Sequence, residues 1–253
     1  GMTIGTNGIY IHGSGTITFN ATGGTVTITP NSATMYGMSF TGSATYLLAG
    51  STLDVNGPIN ITNGTLEFST NNYTAKLAND LLNNGGLLGT STSGTVVLDG
   101  ADQTVKDVNF DNLTVAGTMT KTLQGTVSIG GDLLVNSTLD AGTSSLTMNG
   151  DVTISVSGAF DDGDGTHYFG GQDWTGTGAY SGNGTIVFNR TGNQYIYASK
   201  FNNLDIDGTN TKYLYGDTDL TGDLTLRSTI ASMRLESNLF NCTSGTGTFT
   251  TES

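Results

Sequence analysis

The chain has one cysteine, Cys242, and two prolines in 253 residues. A single thiol makes no intrachain disulfide and no cysteine-based zinc site. Too little proline, and glycine that does not fall on every third position, exclude collagen. Charged residues are 11% of the chain, against about 25% in ordinary soluble domains, which excludes a coiled coil or helical bundle. Basic residues are scarcest. Eight Lys and Arg stand against 21 Asp and Glu, for a net charge of −13. So acidic a surface repels phosphate backbones, and nucleic acid is not expected as a partner. No apolar run approaches the roughly 18 residues of a membrane span. Histidine occurs twice, as His12 and His167, so there is little equipment for acid–base chemistry. Gly1 ahead of Met2 reads as a cleavage scar and is set aside.

Glycine is abundant at 38 residues, with 45 threonines and 23 asparagines. The 35% of hydrophobic residues argues against disorder, because they recur at regular places. The chain is a repeat. GTVVL (Gly94 to Leu98) returns as GTIVF (Gly184 to Phe188). NFDNLTVAGT (Asn109 to Thr118) returns as KFNNLDIDGT (Lys200 to Thr209). TKTLQG (Thr120 to Gly125) returns as TKYLYG, and GGDLLVNSTL (Gly130 to Leu139) as TGDLTLRSTI. The offset is about 90 residues, and a looser first copy runs through YGMSFTGS, NGPINI and NGTLEF. These copies divide the chain into modules of about 15–93, 94–183 and 184–253, within one elongated body spanning 1–253.

A finer step of about 20 residues separates Leu113, Leu133 and Val152, and again Leu204 and Leu224. Apolar residues pair at i and i+2, as in Val96 and Leu98 or Ile186 and Phe188, so each short strand turns one side inward. Threonine, valine and isoleucine suit such strands. Gly and Asn suit the tight turns between them, where φ turns positive. One coil cannot bury its apolar row alone, so coils must stack. The expected fold is all-β, a single-stranded parallel β-helix (β-solenoid) with about 20 residues per coil, wound right-handed. The segment AKLANDLLNNGGLL (Ala75 to Leu88) fits a short helical turn as well as it fits strands and turns.

The modules resemble the tandem β-strand repeats, parallel β-helix modules, of large bacterial surface and adhesin-like proteins. The likeness lies in FxNLxI…G (Phe201 to Gly208), TGDLTL (Thr221 to Leu226), the STL turn (Ser137 to Leu139) and GTHYFGGQDWTGTGAYSGNGTIVFN (Gly165 to Asn189). The β-helices of phage tail fibres and tailspikes are a second resemblance. These motifs specify a fold and carry no catalytic residues to transfer. The resemblance implies a structural or adhesive module that is extracellular or at the cell surface, or else part of a virion. A start at Met2 without a leader would suit the latter.

Candidate sites are the departures from the repeat. Tyr195, Tyr197, Tyr213 and Tyr215 flank Ile196 and Leu214. If those two point inward, all four tyrosines point outward on neighbouring rungs, where the second module has Thr104, Lys106, Thr122 and Gln124. Exposed aromatic faces offer a platform for sugar rings or a surface protein; Trp174 is grouped with them as a ligand-binding residue, the other reading of it being a local packing anchor. Asp161, Asp162 and Asp164 sit in a glycine-rich turn of the kind that suits calcium. No other cofactor is expected. Asp205 and Asp207, on one face, are the runner-up catalytic pair for a carbohydrate-active enzyme, a polysaccharide hydrolase or lyase. The leading expectation is a non-enzyme that binds glycan through the tyrosines, with end-to-end or side-by-side self-association at strand edges.

Overall fold

The computed structural model describes residues 2–3, 13–50, 52–68, 73–89, 94–197, 199–227, 232–236, 240–242 and 249–251. His12 lies outside them. Among the described residues there is no helix, and parallel strands stack as a β-solenoid of about 10 turns, roughly 20 residues apart. The chain divides into two compact units, Gly1–Val127 and Ser128–Ser253.

In the first unit a coil carries three short strands on three faces. Leu53–Val55, Ile59–Ile61 and Thr65–Phe68 make one such coil. The next strand, Thr74–Leu77, returns to the first face and pairs with Ala75 opposite Leu53 and Leu77 opposite Val55. Alternation then does the packing. Leu53, Val55, Ile59, Ile61, Leu66 and Phe68 are buried, and the residues between them face outward. The ambiguous segment resolves as strands Thr74–Leu77, Leu81–Asn83 and Leu87–Gly89. A helix here would leave Leu77 and Leu81 without the rungs that bury them. The step between rungs is 17 residues from Val96 to Leu113 and 24 from Leu81 to Val105, and the turns absorb the difference.

The second unit repeats the plan. Gln194–Tyr197, Ser199–Phe201 and Asn203–Ile206 form one coil, and Thr211–Leu214, Thr218–Leu220 and Leu224–Leu226 form the next. Its core holds one connected aromatic cluster. Trp174, Phe160, Phe169, Phe188 and Phe201 are all buried, with ring centroids 5.0–6.1 Å apart and largely tilted or edge-on. Such arrangements add to simple area burial.

Corners need more than glycine, because a turning backbone leaves carbonyls and amides without sheet partners. In each unit two adjacent rungs turn a polar side chain inward to meet them. Gln103 Nε2 donates to Leu77 O and Asn79 O at 2.8 and 2.7 Å, and on the next rung Lys121 Nζ donates to Gly100 O, Ala101 O and Thr118 O at 2.6–2.9 Å. In the second unit Gln194 Nε2 donates to Phe169 O and Gly171 O, and Lys212 Nζ to Arg190 O, Gly192 O and Thr209 O at 2.7–3.3 Å. Both lysines are fully buried. Burial pulls each ammonium below its usual range, Lys212 down to about 8, with the Arg190 charge adding to it and Asp207 opposing it.

Aspartates do the complementary work. Asp80, Asp102 and Asp107 accept backbone N–H groups of Thr104, Thr120 and Thr126 from the following rung, at 2.7–3.0 Å. In the second unit Asp132 accepts Asp151 N–H, and Asp151 accepts Gln172 and Asp173 N–H. Part of the acidic excess is therefore structural. Gly117 and Gly208, equivalent in the repeat, have φ of +71° and +76°, and a Cβ at either would lie 2.3 Å from a carbonyl of the preceding rung. Only glycine fits there.

Candidate functional site

The strand Gln194–Tyr197 lies beside Thr211–Leu214, with Tyr195 opposite Tyr213 and Ile196 opposite Leu214. Ile196 and Leu214 are fully buried, so period two turns the tyrosines outward. Tyr215 extends the second row just past its strand, where its N–H donates to Ile196 O at 2.8 Å. The four rings form one cluster. Tyr195 and Tyr213 have centroids 5.1 Å apart, Tyr197 and Tyr215 5.6 Å, and Tyr213 and Tyr215 5.8 Å, with planes within 8–23° of parallel. Rings this close and this parallel cover one another's faces. What they present outward is therefore edges and hydroxyl tips, most of all at Tyr197 and Tyr215, which are 37% and 43% exposed. The cluster has charged ends. Arg234 sits 6.0 Å above the Tyr213 ring, opposite it in register. Asp173 stands opposite Tyr195 on the other side. Burial pushes the Asp173 carboxyl up, helped by Asp151 and opposed by Arg190, and its Oδ1 is buried without a hydrogen-bond partner.

Trp174 does not belong to this surface, which corrects its assignment as a ligand-binding residue. It occupies the inward position opposite Ile196, is fully buried among Phe160, Phe169, Phe188 and Phe201, and donates through Nε1 to Ser199 Oγ at 3.0 Å. The signal was in the sequence. Trp174 begins the same inward row as Val152 one coil earlier.

The three carboxylates of the glycine-rich turn point to different tasks. Asp162 is fully buried. Its Oδ2 accepts the Tyr180 hydroxyl and its Oδ1 accepts Gly184 N–H at 3.0 Å. Burial pushes its pKa up, against these hydrogen bonds. Asp161 accepts Gly163 N–H, and Asp164 accepts Asn183 Nδ2. Among the described residues, no group of three or more His, Cys, Asp or Glu side chains is placed to hold a metal ion. His167 is buried beside this turn. Its Nδ1 accepts Leu146 N–H, so Nε2 carries the proton and donates to Asp162 O at 2.8 Å.

Asp205 and Asp207 line a cleft of about 410 Å³ on the outer face of the sheet containing Thr166–Phe169, Thr185–Phe188, Asn203–Ile206 and Leu224–Leu226. Tyr168, Val187, Asp205 and Thr225 stand in register across these four rungs. Asp205 points outward, yet it is only 6% exposed. Arg227 Nε lies 3.0 Å from each of its carboxylate oxygens and Nη2 closes a second contact to Oδ2, a fork on a carboxylate. Sequence reasoning put no basic residue beside these acids, because Arg227 is 22 residues away along the chain and one rung away in space.

Comparison with protein-family models, with curated proteins and with solved structures finds no match to this chain.

Proposed function

We propose that the chain is a non-enzymatic structural and adhesive β-solenoid, displayed on a cell surface or virion, and that its tyrosine cluster contacts glycan. One observation carries the reading: four tyrosines from two rungs gather outside a scaffold whose inward glutamine, lysine and leucine recur at the equivalent rungs of the other copy. Aromatic edges with hydroxyl tips supply apolar contact and hydrogen bonding together, as sugar rings require. Backbone hydrogen bonds from rung to rung hold the surface rigid, so little entropy is lost when it is occupied. Membrane insertion is not invoked, since no helix among the described residues is long and apolar enough to cross a membrane.

The test is a glycan array probed with the parent and with the Tyr197→Ala, Tyr215→Ala double variant, which removes the two most exposed rings. Retention should fall by about tenfold or more. Parent-level retention by the variant overturns the proposal.

The cleft over Asp205 and Asp207 favours a second reading, a polysaccharide hydrolase or lyase. Against it, both Asp205 oxygens are engaged by Arg227, whereas a glycosidase carboxyl must attack or transfer a proton. Release of reducing ends from a polysaccharide panel, abolished by Asp205→Asn and Asp207→Asn, would decide for the enzyme.

A further inference from the structure

The two partners of the Asp205–Arg227 ion pair are both departures from the repeat. Where the last module has Asp205, Asp207 and Arg227, the preceding one has Thr114, Ala116 and Asn136. The interior does not demand the change, because Leu113 and Val115 are buried as Leu204 and Ile206 are. Stability alone explains it poorly. The Arg227 side chain is 40% exposed, so solvent screens its half of the pair and the repeat's Thr114 and Asn136 do without it. Yet the change brings a fixed donor fork and a nearly buried carboxylate together in a cleft.

The cleft has a defined chemistry. Tyr168, 38% exposed, stands at one end and Arg227 at the other. Between them the floor is apolar at Val187 and polar at Asp205, each only 6% exposed although both point outward. Asp207 and Asp223 stand on the rim. Three carboxylates against one guanidinium make it a poor home for uronates, sulfates or phosphates. An aromatic side chain beside paired charged hydrogen-bonding groups suits a ring carrying neighbouring hydroxyls. The volume lies toward the small end of ligand sites and has room for roughly two sugar rings.

We infer that this cleft is a binding site, separate from the tyrosine cluster, for a stretch of uncharged glycan, with Tyr168 packing on a ring and the Asp205–Arg227 pair hydrogen-bonding its hydroxyls. The site lies on different strands from Tyr195, Tyr197, Tyr213 and Tyr215, so the inference stands or falls apart from the proposed function. It assigns no bond breaking.

The test is ligand-observed NMR titration of the full chain with cellotetraose, maltotetraose and mannotetraose, alongside the anionic tetragalacturonate. At least one neutral tetramer should bind, and tetragalacturonate should bind more weakly. Tyr168→Ala should weaken binding by about tenfold. Arg227→Lys, which keeps the charge opposite Asp205 and loses the fork, should also weaken it. The Tyr197→Ala, Tyr215→Ala variant should bind as the parent does. Circular dichroism confirms that each variant is folded. The inference is overturned if no neutral tetramer binds, if tetragalacturonate binds as tightly, or if binding survives both Tyr168→Ala and Arg227→Lys.

Discussion

Two copies of the repeat can be laid side by side: the rungs of Gln103 and Lys121 in the first unit, and those of Gln194 and Lys212 in the second. Inside they agree. The same glutamine accepts and donates at the same corner, and the same lysine closes on three carbonyls one rung later. Outside they part. Thr104, Lys106, Thr122 and Gln124 become four tyrosines, and Thr114, Ala116 and Asn136 become Asp205, Asp207 and Arg227. The lesson is a division of labour. Inward positions are held by packing and by carbonyls that must be satisfied, while outward ones are open to change and carry whatever the module recognises.

If the corners are equivalent, removing either lysine should cost the same. Lys121→Ala and Lys212→Ala each take the buried ammonium from three part-buried corner carbonyls, of which Gly100 O keeps the Thr118 N–H, and each should destabilise its unit by on the order of 3 kcal/mol. The urea midpoint measures it, with Trp174 fluorescence reporting the second unit. A neutral result in one copy alone would break the equivalence.

Among the described residues His167 is the one histidine, buried in the second unit, and it should make that unit acid-sensitive. Burial holds its folded pKa below the ordinary 6.5. Protonation would also turn Nδ1 from acceptor to donor, against Leu146 N–H. A depressed folded value means the stability it contributes is present above about pH 6.5 and is lost as the pH falls through the folded pKa. The Tm of the parent should therefore fall toward that of His167→Gln between pH 7.5 and pH 5. A constant gap between the two sinks the idea.

Trading exteriors is a gentler test. Replacing Tyr195, Tyr197, Tyr213 and Tyr215 by the Thr, Lys, Thr and Gln of the other copy should leave the fold intact. It should cost about 1–2 kcal/mol in lost cross-strand ring contacts. Loss of folding would mean that the tyrosines belong to the scaffold. Smallest of all is the expected effect of calcium. With Asp162 spent on Tyr180 and Gly184, the Tm should move by less than about 1 °C between excess calcium and chelator, whereas a larger rise would reinstate a site at Asp161 and Asp164.

Much of the fold was legible because its signals are local. Pairs such as Ile196 and Leu214 announce which side is inside, and Asn-Gly and Asp-Gly turns announce the corners. The tyrosine cluster followed, since facing is a period-two property and the rows lie 18 residues apart. Trp174, grouped with the ligand-binding residues, is the largest member of an inward row, as its packing-anchor reading had it. Lys121 and Lys212 were overlooked because a charged residue at an inward position is read as outward by default, although each sits two residues before an inward leucine. Arg227 was invisible beside Asp205, since nothing in a linear string says which corner of one rung overlies which strand of another.

The sequence by itself determined the solenoid, its step of about 20 residues and the inward apolar rows of the two clearer copies, because backbone alternation and turn chemistry act over two to four residues and then repeat. Tertiary structure alone decided which charges meet, which polar groups are sealed at the corners, and that the tyrosine rings cover one another. Those outcomes depend on the register between rungs, and register is set by turns whose lengths vary from coil to coil.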